Sequence, residues 1–186
     1  MSDRRFPWMR SAATAVVALA EWMQLAWQHF HGGVLGHHFL NRADMPVISN
    51  GWGGLLLPLV TWVLLGRVQR RIASQDDVSK AYALVGFGSA LLFGVLLSVF
   101  FTLGNDLVPG AMFESLFLVA LVAPIYRAEY LLGFVLGMAF TFGGVLPSIV
   151  GSVMGIITLV IHRYVRPMLW RIGSMIAGMA KKRGKT

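Results

Sequence analysis

An ionisable side chain within an apolar stretch is the first place to look for chemistry, and Glu21 is such a residue. It follows Arg10 by eleven residues in a largely apolar segment from Ser11 to Phe30. At 1.5 Å per helical residue it sits roughly 16 Å beyond Arg10. A charge at that depth in hydrocarbon costs several kcal/mol unless a partner or water meets it. Thr14, Glu21, Gln24, Gln28 and His31 share one face of a helical wheel. That face must turn toward other helices or toward water. The chemistry open to it is proton or cation binding, or hydrogen bonding to a substrate; the structural alternative is a polar stripe that locks helices together. Glu114 is a second such carboxylate, about one turn into a later apolar segment and near Asn105 and Asp106. It either pairs with a histidine or favours a helix N-terminus.

Four histidines, His29, His31, His37 and His38, fall within ten residues, with Arg42, Asp44 and Asn50 close behind. Imidazoles joined by carboxylates are the ligand set of zinc, iron or copper. The metal-ligating candidates are therefore His31, His37, His38, Asp44 and Glu114. Their spacing completes no HExxH pattern, and adjacent His37 and His38 point different ways on a helix or a strand. Whether any cofactor is bound stays open, with a transition metal held by His and carboxylate as the one candidate. The absence of cysteine excludes disulfides, thiolate metal sites, iron–sulfur clusters and cysteine nucleophiles. There is no GxxxxGK[ST], GxSxG or GxGxxG motif. Asp76 and Asp77 lack the second acidic cluster that magnesium-dependent diphosphate chemistry needs. The balance leans away from an enzyme.

The elements that must position these residues are membrane helices. Of 186 residues, 56% are hydrophobic and 13% charged, where a soluble domain carries roughly 25% charge. That composition excludes a soluble globular enzyme and a disordered chain. The net charge of +8 comes from basic residues that flank apolar segments, which points to topology signals and anionic headgroups rather than nucleic acid. Segment one, about Ser11 to Phe30, reads as a retained signal anchor, since Glu21, Gln24 and Gln28 interrupt it and no clean cleavage site follows. Segment two runs from about Trp52 to Leu65 and contains Pro58, segment three from Ala81 to Leu103, and segment four from about Gly110 to Tyr126, opened by Pro109. Between the first two lies a Gly/His/Asn-rich loop or short interfacial helix, and the basic stretch from Arg67 to Lys80 is a water-exposed connection.

Tyr130 to Ile161 is a continuous apolar run that one straight helix would stretch to about 48 Å, well beyond the ~30 Å hydrocarbon core. A break near Gly143 to Ser148 is expected. A cytoplasmic N-terminus puts Arg4, Arg5, Arg10, Arg67, Arg70, Arg71, Lys80, Arg127 and the seven basic residues from Arg163 to Lys185 inside, leaving Arg42 outside. The run then begins and ends on the inner side, as two short crossings or a re-entrant pair of half-helices. The expected fold is an all-α inner-membrane bundle of the bacterial type: four full transmembrane helices plus a Gly/Pro-broken C-terminal hairpin, six segments in all, over residues 1–165. Residues 166–186 form a basic amphipathic helix on anionic lipid, with both termini cytoplasmic. Gly86, Ala90, Gly94 and Ser98 give segment three a small-residue groove, while Gly133/Gly137 and Gly151/Gly155 suit two hairpin arms packed on each other.

The leading functional expectation is a small transporter or channel-like protein, homo-oligomeric, with Glu21, Gln24, Gln28, His31 and Glu114 as ion- or substrate-binding residues. Two alternatives stand beside it. One is an accessory subunit of a larger membrane complex, packing through the groove of segment three, and the other a metal-dependent enzyme or redox protein at the outer histidines.

Overall fold

In the computed structural model, residues 5–34, 36–38, 47–73, 76–105 and 107–183 are described. Seven helices dominate: α1 (Arg5–Phe30), α2 (Gly53–Ile72), α3 (Asp77–Thr102), α4 (Leu107–Val122), α5 (Ala128–Phe142), α6 (Val145–Val160) and α7 (Arg166–Arg183). Among the described residues three helical stretches are long and apolar enough to cross a membrane: Asn50–Ile72, Asp77–Thr102 and Val145–Met175. The broad apolar surface left exposed suits lipid as the solvent. α1 is as long as α3 but carries the polar face, and α4 and α5 are apolar but shorter.

The fold is built around α5. Leu132, Phe134, Val135, Met138, Ala139 and Phe142 are all buried, and α5 packs on α2, α3 and α6. A helix apolar on every side must be enclosed on every side. Its most extensive contact is with α3. A Cβ on Gly133 or Gly137 would strike the α3 backbone at Phe87 or Leu91, and one on Gly94 would strike the carbonyl of Phe134. In lipid, where apolar burial gives little drive, such backbone-to-backbone approach supplies the dispersion energy that holds helices together. The groove of segment three is therefore filled within the chain. The two GxxxG faces of the hairpin do not meet, contrary to expectation: those of α5 lie on α3, while Gly151 and Gly155 receive the side chains of Val135 and Leu131.

Other elements depart from the sequence reading. The first loop is neither irregular nor helical throughout, since Gly36–His38 (β1) pairs antiparallel with Val47–Ser49 (β2), Gly36 opposite Ser49. A 3₁₀ turn at Asn50–Trp52 then leads into α2. α2 continues through Arg70 and Arg71 to Ile72, so most of the basic connection is helical. Asp76 caps α3 by accepting from Ser79 N at 3.2 Å. The Ser79 side chain and amide beside it hold that carboxyl below its usual range. α6 runs through a π turn, Ile161–Val165, directly into α7.

Candidate functional site

Proline and glycine open main-chain hydrogen bonds in three of these helices, and side chains from other elements close them. Pro58 has no N–H, so the Gly54 carbonyl lacks its helical donor. Trp22 Nε1 of α1 donates to it at 2.8 Å. Pro124 leaves the Ala120 carbonyl at the end of α4 equally bare, and His162 Nδ1–H fills it at 3.0 Å. That bond fixes the tautomer, with His162 Nε2 free to accept from Arg166 Nη1 at 3.2 Å.

The third opening is the break between α5 and α6. Gly143 has φ +72°, a left-handed conformation that terminates α5. In an unbroken helix Gly144 N–H would donate to the Phe140 carbonyl. Here each half of that bond goes to α1. Gly144 N–H donates to Glu21 Oε1 at 3.2 Å, and Gln24 Nε2 donates to the Phe140 carbonyl at 2.7 Å. The carboxylate supplies the missing acceptor and the carboxamide the missing donor, from residues three apart on one helical face. α1 thus clamps the hairpin tip. The polar stripe and the predicted break, 123 residues apart in sequence, are one site.

The surroundings are tight. Glu21 is 4% exposed. A Cβ on Gly53, the first residue of α2, would strike both Glu21 Oε1 and Gly144 N, so only a glycine admits the carboxylate there. Buried Asn50 lies against Gly143. Gln28, one turn beyond Gln24, is buried with Oε1 unpartnered among the described residues, and Thr14 Oγ1, on the same face, is likewise buried and unpartnered. The helical arms are unequal. α5 has 15 residues, about 22 Å of helix against a hydrocarbon core of ~30 Å, whereas α6 continues through the π turn into α7.

The base of the hairpin is pinned by a second carboxylate. Glu129, at the start of α5 and 2% exposed, pairs with Arg71 Nη2 of α2 at 2.6 Å. Charge at a turn reads from sequence as an interface turn, and nothing local in it marks Glu129 as buried. Asn50 is equally hidden among loop residues. The missing donors behind Pro58 and Pro124, by contrast, are a signal that the sequence carries.

The remaining candidates lie elsewhere. His31 is exposed at the end of α1, its ring stacked on Trp27 at 4.5 Å and its Nδ1 donating to the Trp27 carbonyl at 2.8 Å. Glu114 is exposed on α4 and makes no hydrogen bond or ion pair among the described residues. Asp44 and the side chains of His37 and His38 lie outside the described residues. No three His, Asp or Glu side chains converge among those described. No family model, curated protein or solved structure matches the chain.

Proposed function

We propose that this is a small polytopic transporter or channel-like protein of a bacterial-type inner membrane, in which Glu21 is the proton- or cation-sensitive element. The observation that carries the reading is the Glu21 carboxylate on the Gly144 amide, at the break between α5 and α6. Discontinuous helices that expose main-chain groups to an ion or substrate recur at transport sites. An ionised carboxylate accepts from an amide about twice as strongly as a neutral acid. A proton or cation arriving at Glu21 therefore loosens the clamp and frees Gly144 N–H for a second ligand. Gln24 and Gln28 continue the polar face outward.

In this reading α1 to α4 cross the membrane and α5–α6 forms the broken hairpin, as two short crossings or a re-entrant pair, with both termini cytoplasmic and the basic α7 on anionic headgroups. The working unit is a homo-oligomer. Leu107, Gly110, Ala111, Glu114, Leu118 and Val122 form one exposed face of α4, and an uncovered carboxylate facing lipid is costly. A second copy packed on this face would cover it from lipid.

The test is cation flux into proteoliposomes under an imposed negative potential, read with proton- and sodium-sensitive dyes. Wild type is expected to pass a cation with a pH-dependent rate, and Glu21→Gln to lose at least about tenfold of it, the effect of about 1.4 kcal/mol on a barrier. A Glu21→Gln protein with unaltered flux and pH dependence, or a wild type that passes no cation, contradicts the proposal.

A further inference from the structure

The arginines around the inner half of α2 are engaged with one exception. Arg10 stacks over Trp62 at 3.8 Å and donates to its carbonyl, Arg70 donates to the Gly66 carbonyl, and Arg71 pairs with Glu129. Arg67 is exposed and has no partner among the described residues. It lines a cavity of about 430 Å³ between α2 and α6, and Tyr126 lines the same cavity.

The body of that cavity is apolar in practice. Val60, Val63 and Leu64 line the α2 side, Ile156 and Leu159 the α6 side. The two serines of the wall offer no free donor, since Ser148 donates to the Gly144 carbonyl and Ser152 to the Ser148 carbonyl. Ile156 and Val63 are themselves exposed at its rim, so the groove opens sideways toward lipid. A second cavity of about 390 Å³, between α4 and α6, is equally apolar but has no cation among its lining residues. Of the two, the first alone has a cation to meet an anionic headgroup.

We infer that the groove between α2 and α6 is a binding site for an anionic phospholipid of the surrounding bilayer, an acyl chain lying along Val60 and Val63 and the headgroup phosphate on Arg67 and the Tyr126 hydroxyl. The planar guanidinium fork suits a phosphate, and the phenol adds a neutral donor at the membrane interface. The site is independent of the transport proposal, because none of its contacts involves Glu21 or Gln24.

The experiment uses the full chain, delipidated in mild detergent and offered phosphatidylglycerol or phosphatidylcholine with the same acyl chains, the retained lipid being counted by native mass spectrometry. Wild type is expected to retain phosphatidylglycerol preferentially. Arg67→Gln should lower that retention about tenfold, the scale of one lost charge-assisted contact. Arg163→Gln with Arg171→Gln, which weakens the headgroup contact proposed for α7, should lower retention by less than Arg67→Gln does. Ser152→Phe, which fills the groove, should lower retention of both lipids with the helical content and melting temperature preserved. Equal retention of the two lipids by wild type, full retention by Arg67→Gln, or loss confined to the Arg163/Arg171 variant would overturn the inference. Should Ser152→Phe fail to fold, the Arg67→Gln comparison decides alone.

Discussion

At the scale of single residues, the recurring device is a polar side chain that replaces a main-chain group removed by proline or by a break. In water such a gap would be hydrated; in hydrocarbon it has to be met by protein. Trp22 at the Gly54 carbonyl gives the sharpest test, because the gap itself can be closed. Trp22→Phe should cost about 0.5–2 kcal/mol in a detergent-unfolding measurement, the range of membrane hydrogen bonds. In a Pro58→Ala background the amide gained at that position takes over the Gly54 carbonyl, and the same tryptophan substitution should cost clearly less. An unchanged cost in that background would show that the indole acts through packing alone. Glu21 is legible from the sequence as a charge with no place in lipid, and Gln24 and Gln28 as its neighbours on the wheel. Their individual partners are not legible, because a contact between α1 and the α5–α6 tip leaves no local periodicity in either.

At the scale of elements, small residues decide which helices touch. The spacing of Gly86, Ala90, Gly94 and Ser98 announces a close helix contact, and α3 makes one. Spacing alone misassigns the partner because Gly133/Gly137 and Gly151/Gly155 resemble each other, and resemblance does not fix which faces turn together. The choice follows from the environment of α5. It is the enclosed helix, so its smallest face goes to its longest neighbour, α3, and its larger Leu131 and Val135 enter the notches of α6. Gly137→Leu should therefore separate α3 from α5 and destabilise the protein by about 1–3 kcal/mol or more, the scale of core overpacking. Gly110→Leu, where nothing stands within 4 Å of the added carbon, should leave the isolated chain's stability unchanged. Equal effects on thermal unfolding in detergent would contradict this account of the packing. The β1–β2 pair escapes a sequence reading for a plain reason: three-residue strands are too short to show alternation.

For the whole molecule, the clamp joins two halves, the α1–α2 pair and the group formed by α3, α5 and α6. If α4 faces a second copy as proposed, the absence of native cysteine makes the contact easy to test. Ala111→Cys should form a disulfide-linked pair on mild oxidation in the membrane, and Val16→Cys, exposed on α1, should not; a monomeric Ala111→Cys under those conditions would argue against an α4 interface. The positions of the apolar segments are legible because lipid imposes length and composition. The joining of the halves is not, since the clamp, the Arg71–Glu129 pair and the packing of α2 on α5 are all contacts between residues distant in sequence. The most direct test of the clamp is the amide resonance of Gly144 in isotope-labelled protein, followed from about pH 4 to 9 in wild type and in Glu21→Gln. The account predicts that the Gly144 amide shifts as Glu21 titrates and stays still in the Gln variant. A Gly144 amide that ignores pH in wild type, or shifts equally in both proteins, would contradict it.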